Sequence, residues 1–263
     1  MYALNFHNAA SAADAVTKVS AADEGKFLAG GQTLLPTIKQ RLAAPSDLVS
    51  LRRAGLSGIS RKGSDIVIGA MTTHAEVAAD ATVRGTLPAL ATLAGRIGDP
   101  QVRHRGTIGG SIANNDPAAD YPAALLALGA TVVTDTREIA AGDFFTGLFS
   151  TALKPNEIIT AVRFPMVERA AYAKFPNPAS LYAMVGVFVA KEAGSVRVAV
   201  TGAGADGVFR HSGLEAALAA GYAPETVDGV EVSSDGLLSD IHGSAAYRAN
   251  LIKVMTKRAV AAS

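Results

Sequence analysis

Ala29-Gly30-Gly31-Gln32-Thr33-Leu34-Leu35-Pro36 and Gly106-Thr107-Ile108-Gly109-Gly110-Ser111 are the two stretches that decide how this chain is built. Each sets paired glycines beside hydroxyl residues, directly before helix-like sequence. Paired glycines let the backbone approach a ligand closely and aim successive N–H groups at an anion. One such turn reads equally well as a tight strand-to-helix connection that needs glycine for its backbone angles, since short glycine motifs recur by chance. Two of them point to two loops gripping one diphosphate ligand.

The first turn lies in a small α/β unit, residues 1–55. Ser11 with Asp14 predicts a helix start before residues 15–19, residues 26–29 a short buried strand, and 47–51 another. Residues 33–42 have helical spacing, with Pro36 tolerated only near the first turn. A second unit, 56–166, carries the second turn. Residues 59–61 and 66–69 flank the hairpin-like Lys62-Gly63-Ser64-Asp65. Residues 73–79, 86–97 and 123–128 read as helices, and 131–134 and 158–164 as strands. In a third unit, 167–263, residues 183–190 and 196–200 form a β-hairpin pattern. Residues 214–220 are helical and 230–232 read as a strand. A terminal helix over 244–260 puts Tyr247, Leu251, Val254 and Met255 on one face, with Lys253, Lys257 and Arg258 toward its C-terminal end.

The 263 residues, 49% hydrophobic and 18% charged, describe a globular chain of about two or three compact units with ample core. A net charge of +1 argues against nucleic acid or an acidic membrane surface as partner. The basic residues are scattered, apart from Arg96, Arg103 and Arg105 around the second turn. There is no cysteine, which removes disulfides, thiolate metal sites, cysteine nucleophiles and any cysteine-held iron–sulfur cluster on this chain. Met1-Tyr2-Ala3-Leu4-Asn5-Phe6-His7 lacks the basic start and apolar run of a signal peptide, and no segment reaches the roughly 18 apolar residues of a membrane span. A soluble cytoplasmic chain is the expectation.

The second turn is the more specific because Asn114, Asn115, Asp116 and Asp120 follow it. Asp116-Pro117 and Asp120 can open the helix that runs to Leu128, which accounts for one aspartate as a cap. A carboxylate reaching ribose hydroxyls accounts better for Asp120. A third motif, Gly202-Ala203-Gly204-Ala205-Asp206-Gly207, matches the G-x-G-x-x-G dinucleotide fingerprint and follows a strand. Three features favour a structural turn there. Asp206 brings negative charge toward a pyrophosphate, Ser212-Gly213 interrupts the following helix, and the preceding strand pairs in a hairpin. The histidines (His7, His74, His104, His211, His242) share no metal-ligand spacing, so no metal site is expected. No Ser-His-Asp order or G-x-S-x-G elbow supports hydrolysis, so no catalytic residue is assigned. Redox chemistry on such a chain falls to a cofactor.

The two turns, with Ile112-Ala113-Asn114 and Asp116-Pro117-Ala118-Ala119-Asp120, resemble the FAD-binding medium subunit of molybdenum hydroxylases, the carbon monoxide dehydrogenase and xanthine dehydrogenase relatives. Phe144-Phe145-Thr146-Gly147, Leu153-Lys154-Pro155-Asn156-Glu157-Ile158-Ile159 and Asp240-Ile241-His242-Gly243-Ser244-Ala245-Ala246-Tyr247-Arg248 also look like family sequence, so the resemblance covers nearly the whole chain. It implies an α+β fold: two FAD-binding subdomains (1–55 and 56–166) of the p-cresol methylhydroxylase and vanillyl-alcohol oxidase type. An α/β C-terminal domain (167–263) with an antiparallel sheet follows. It further implies FAD diphosphate contacts from Ala29, Gly30, Gly31, Gln32, Thr33 and Leu34, and from Thr107, Gly109, Gly110 and Ser111. Asp120 falls on the adenosine side, Leu153 and Lys174 at weaker FAD contacts, and Tyr182 near the flavin. Ser111 stands where relatives often carry Asn. The partners implied are a large molybdenum-cofactor subunit and a small subunit with [2Fe–2S] clusters, whose electrons pass through FAD to an external acceptor. A stand-alone flavin oxidase of the related fold, and a non-enzymatic nucleotide-binding module using the Gly202 motif, are the alternatives.

Overall fold

The protein is described over residues 1–263 by a computed structural model. Its first sheet is parallel, with Asp47–Ser50 between Asn5–Asn8 and Gly25–Leu28. The helix Ala12–Ser20 joins the two outer strands, and the helix Leu34–Lys39 supplies the crossover between the neighbours Gly25–Leu28 and Asp47–Ser50. The N-terminus of the first of these helices is fixed by Ser11, whose hydroxyl accepts the Asp14 N–H at 3.1 Å. All three strands run the same way, so their C-terminal ends share one edge, and Leu28 leads into the first glycine turn there. Nothing in the alternation of Asn5-Phe6-His7-Asn8 predicts its strand. The helix expected over 33–42 is shortened to Leu34–Lys39, and the chain leaves it through Arg41 at φ +63°.

The second sheet is antiparallel, in the order Ile59–Lys62, Asp65–Gly69, Ile159–Pro165, Thr131–Thr134, Glu138–Ala140. The helix expected over 86–97 runs over Pro88–Gly95, and a separate helix, Ala81–Thr86, not anticipated from the sequence, precedes it. Leu87 separates them at φ −134°, ψ 63°, because a residue that precedes proline is pushed out of the helical region.

The third sheet is also antiparallel: Arg169–Pro176, Ala183–Glu192, Ser195–Thr201, Phe209–Arg210. Its long second strand is covered on both faces, which is why it reads as an unbroken apolar run. Phe188 and Ala190 face the core of the second unit, with Leu125 and Leu128 of the helix Tyr121–Leu128. Val185, Val187 and Val189 face the opposite way, against Leu214, Leu218, Leu251, Ile252 and Met255 of the helices Ser212–Ala220 and Ala245–Ala262. Full burial of each valine contributes about 1.5–3 kcal/mol. The sheet is therefore the shared wall between the second unit and the C-terminal helices.

Two expectations fail here. Residues 230–232 pair with nothing: a 3₁₀ turn, Pro224–Gly229, precedes them, and Val230 and Val232 pack onto the apolar cluster as side chains. The edge beside Ser195–Thr201 is already held by Phe209–Arg210. The buried stripe of the terminal helix is Leu251, Ile252, Met255 and Ala259, while Tyr247 stays 41% exposed. No helix is long and apolar enough to cross a membrane.

Candidate dinucleotide site

At the C-terminal edge of the parallel sheet, Gly30, Gly31, Gln32, Thr33 and Leu34 present consecutive backbone N–H groups that make no hydrogen bond within the chain. Gly31 sits at φ +73°, in the left-handed region that glycine enters without steric penalty. Alternating backbone hands of this kind turn neighbouring amides toward one point, which makes an anion-binding concavity. Gly30 is required by a close approach: a Cβ there would lie 2.2 Å from the Arg105 carbonyl oxygen and 2.8 Å from Gly106 Cα. The first turn thus rests directly on the start of the second.

The second turn is organised differently from the sequence reading, which took its glycines as sources of free N–H groups. Thr107 caps the helix Ile108–Asn114, its hydroxyl accepting the Gly110 N–H at 3.1 Å. The Gly109 N–H donates to the Ala70 carbonyl at 2.9 Å, and the Ser111 N–H to the Thr107 carbonyl at 3.0 Å. These amides fasten the turn to the strand end at Ala70, the buried Thr107 hydroxyl serves as the cap, and the Ser111 hydroxyl and Asn114 amide make no hydrogen bond within the chain. A Cβ on Gly110 would stand 3.4 Å from that of Ala29. The two turns therefore face each other across less than the width of a side chain, one giving amides and the other the Ser111 hydroxyl. A cradle that a Cβ would fill, lined by unpaired donors, fits a dinucleotide diphosphate.

Downstream, Asn115 is buried in the left-handed region (φ 44°), and its amide donates to the Gly147 and Ser150 carbonyls at 2.9 and 2.8 Å. Asp116 accepts from the Ala118 N–H at 2.8 Å, closing an Asx turn. Asp120 stands at the N-terminus of the helix Tyr121–Leu128 but caps no amide, which corrects the capping reading. Its carboxylate is 4% exposed and takes Lys174 Nζ at 2.9 and 3.0 Å and the Tyr172 hydroxyl. Burial pushes the Asp120 carboxyl up, and the Lys174 ammonium and Tyr172 hydroxyl pull it back. Tyr172 is held well above the ordinary phenol range by burial and by the Asp120 charge. Lys174 also donates to the Arg96 carbonyl at 3.1 Å.

The sequence-predicted residues thus fall into two groups. Ala29 to Leu34 and Thr107 to Ser111 come together as the clamp, and Asp120 and Lys174 are joined to each other behind it. Leu153 packs against the core of the second unit. Tyr182, 46% exposed, lies on a cleft of about 400 Å³ whose other wall includes Asp116 and Ala118. Burial raises the Tyr182 phenol, with Asp116 and Asp120 adding to the shift. Tyr172 was missed, although its two-residue spacing from Lys174 puts both on one face of a strand. Arg248 was missed as well, and nothing in a helical arginine foretells its 3% exposure. The third glycine motif leads into a two-residue strand, and its amides are spent: Gly202 on Pro117, Ala205 on Gly236, Gly207 on Gly204.

A diphosphate clamp between a parallel unit and an antiparallel unit, backed by a third domain, defines the class: an FAD-binding oxidoreductase component. Residues 2–167 match the family described as the FAD binding domain in molybdopterin dehydrogenase, and the chain belongs to that family. It is 34% identical to the nicotine 6-hydroxylase medium subunit of Paenarthrobacter nicotinovorans, over 98% of this chain and 96% of that one. It is 34% identical to the carbon monoxide dehydrogenase medium chain of Hydrogenophaga pseudoflava, over 91% and 89%. A structure of carbon monoxide dehydrogenase from Hydrogenophaga pseudoflava superposes with a TM-score of 0.89 at 33% identity, covering 99% of this chain and 97% of that chain. Quinoline 2-oxidoreductase from Pseudomonas putida 86 does so with 0.89 at 28%, over 99% and 96%. The chain is an FAD-binding medium subunit of the molybdenum-hydroxylase type, with the α+β fold that the resemblance implied.

Proposed function

We propose that the chain transfers electrons between the [2Fe–2S] clusters of a small partner subunit and an external acceptor, beside a large subunit that holds the molybdenum cofactor. The observation that carries this is the run of unpaired amides from Gly30 to Leu34 facing Gly110 and Ser111. Ala29, Gly30, Gly31, Gln32, Thr33 and Leu34 hold the FAD diphosphate with the Ser111 hydroxyl, while Thr107, Gly109 and Gly110 build the turn that lets the backbone approach it. Asp120, Lys174 and Leu153 border the cofactor, and Tyr182 stands by the flavin ring. When bound, FAD supplies the exchange between one-electron and two-electron carriers, and the protein orients it and tunes its surroundings. The Asp120–Lys174 pair keeps a carboxylate and an ammonium at fixed positions away from water, where charge acts at longer range. A chain without cysteine carries no thiolate-held cluster, so the clusters belong to a partner. Names such as "medium subunit" and "medium chain" among its relatives support a heteromeric assembly. The three larger sheets support the division into 1–55, 56–166 and 167–263, and we assign the complex to the cytoplasm.

Two measurements test this. Native pull-down should recover a large molybdopterin protein and a small cysteine-rich one, and full substrate turnover by the isolated chain would instead favour a stand-alone oxidase. Gly110→Val adds methyl groups where a Cβ already lies 3.0 Å from Thr107 Oγ1 and 3.4 Å from Ala29 Cβ. Folded Gly110→Val protein should lose FAD, and unchanged FAD content would count against the clamp.

A further inference from the structure

The five residues Asp116–Asp120 follow the helix that the second glycine turn opens, and they end at the carboxylate held by Lys174 and Tyr172. Within their own unit their bonds are local: the Ala118 N–H donates to the Asp116 carboxylate and the Ala119 N–H to the Asp116 carbonyl, at 2.8 and 2.9 Å. The bonds that anchor them come from the C-terminal domain. The Thr201 hydroxyl donates its hydrogen to the Ala119 carbonyl at 2.6 Å, with the Pro117 carbonyl beside it at 3.1 Å. The Gly202 N–H donates to Pro117 at 2.8 Å.

Thr201 and Gly202 are fixed in turn by Arg248 of the helix Ala245–Ala262. Its Nη1 donates to the Met184 and Gly202 carbonyls at 2.6 and 2.9 Å, and its Nη2 to Asp240 at 2.8 Å. Asp240 also accepts the His242 and Gly243 N–H groups at 2.9 and 3.2 Å, which orders the turn that brings His242 to the cleft beside Tyr182. The Arg248 Nε is buried without a partner. A buried guanidinium with one carboxylate and an unpaired N–H is a poor source of stability, and apolar replacements of such groups are often neutral. Leu251, Ile252 and Met255 of the same helix pack an apolar core. What the arginine adds is a junction between the start of one strand, the end of the next and the Asp240 turn.

We propose that Thr201 and Arg248 are positioning residues for the cofactor: Thr201 sets the segment that carries Asp120, and Arg248 sets Thr201 and Gly202 from behind. The proposal rests on the FAD reading above. Thr201 is fully buried and Arg248 is 3% exposed, so both act through the backbone they hold.

The test uses the full, FAD-free chain, titrated calorimetrically with FAD, with urea melts of the same proteins. Thr201→Val keeps the shape of the side chain and removes the hydroxyl, whereas Thr201→Ser keeps the hydroxyl. Thr201→Val should weaken FAD binding about tenfold, the worth of one hydrogen bond, and alter the visible circular dichroism of the bound flavin. Thr201→Ser should bind within about twofold of the parent. Arg248→Lys keeps the charge but lacks the planar fork that reaches three acceptors, and it should also weaken FAD about tenfold. Lys257→Met removes a charge from the same helix, at the exposed Asp228 contact, and should bind FAD like the parent. Folded Thr201→Val and Arg248→Lys proteins that bind FAD like the parent, with only their urea midpoints lowered, overturn the proposal. Equal weakening by Thr201→Ser and Thr201→Val overturns it as well, because the hydroxyl is then not the positioning group. A parent chain that binds no FAD overturns the cofactor reading, and the proposal falls with it.

Discussion

Replacing Gly30 with alanine should separate the two halves of the FAD clamp. The added Cβ would lie 2.2 Å from the Arg105 carbonyl oxygen, 2.8 Å from its carbon and 2.8 Å from Gly106 Cα. All three are backbone atoms, so none can rotate away, and the first turn must retreat by roughly 1 Å to regain ordinary separation. Five amides of that turn make no hydrogen bond within the chain, and a hydrogen bond to a charged oxygen is worth about 1.5–3 kcal/mol. Misaligning two of them costs about 3–6 kcal/mol, a loss of roughly 10²–10⁴-fold in FAD affinity. The assay is calorimetric titration of the FAD-free chain, checked against the flavin absorbance of protein as purified. Gly85→Ala is the matched control: it lies inside the helix Ala81–Thr86 with nothing within 4 Å of the new Cβ. It should stabilise the chain by about 0.5–1 kcal/mol and leave FAD binding unchanged. A Gly30→Ala protein that binds FAD as tightly as the parent would refute the close-packed clamp.

Acid should destabilise the chain in two steps. Burial, helped by Arg103, lowers His74 from 6.5 to about 4, so the unfolded chain binds the extra proton between those values. Stability then falls as pH drops through that window, by up to about 3 kcal/mol, and His74→Leu should abolish this step in urea melts taken at several pH values. Glu157 is held at about 2 by Arg137, by the Lys154 amide and by the Thr134 and Thr136 hydroxyls. Its contribution is complete above pH 4.5 and disappears toward pH 2, a loss that Glu157→Gln should flatten. Lys174→Met strands the Asp120 carboxylate and should cost about 3–5 kcal/mol in denaturant midpoint, part of it recovered on adding Asp120→Asn. A chain ending at residue 167 keeps both glycine turns but loses Tyr172, Lys174 and Thr201, and its FAD affinity, read by the same titration, should fall well below that of the full chain.

The clamp was legible because paired glycines leave a local mark: Gly30 and Gly31 are needed whatever lies elsewhere in the chain. The partition of labour between the turns was not. Whether the Gly109 amide is free depends on Ala70, and no local pattern states that these residues meet. The same limit explains Asp120, which sits where a cap would sit, two residues before Pro122. Only the strand Arg169–Pro176, absent from the sequence reading, reveals that Lys174 and Tyr172 occupy its carboxylate. Leu87 was readable in retrospect, since the Pro88 that breaks the helix is in the sequence. The unpaired segment at 230–232 was not, because only the sheet decides which edge is already taken.

The third glycine motif shows why a fingerprint needs its setting. Gly202 enters φ +81° because a Cβ there would lie 2.3 Å from the Ala183 carbonyl oxygen, not to admit a phosphate. Its N–H reaches across to the Pro117 carbonyl at 2.8 Å, beside the Thr201 hydroxyl on Pro117 and Ala119. Its own carbonyl is held by the buried Arg248. The motif that best fits a dinucleotide pattern thus uses its first amide to grip the segment that follows the second glycine turn, and its other amides within its own loop region. Lys174 and Tyr172 grip Asp120 at the end of the same segment, so its position is set from outside its own domain. Geometry at the cofactor then depends on the C-terminal sheet as much as on the glycines themselves, and the cleft carrying Tyr182 and His242 opens along this seam.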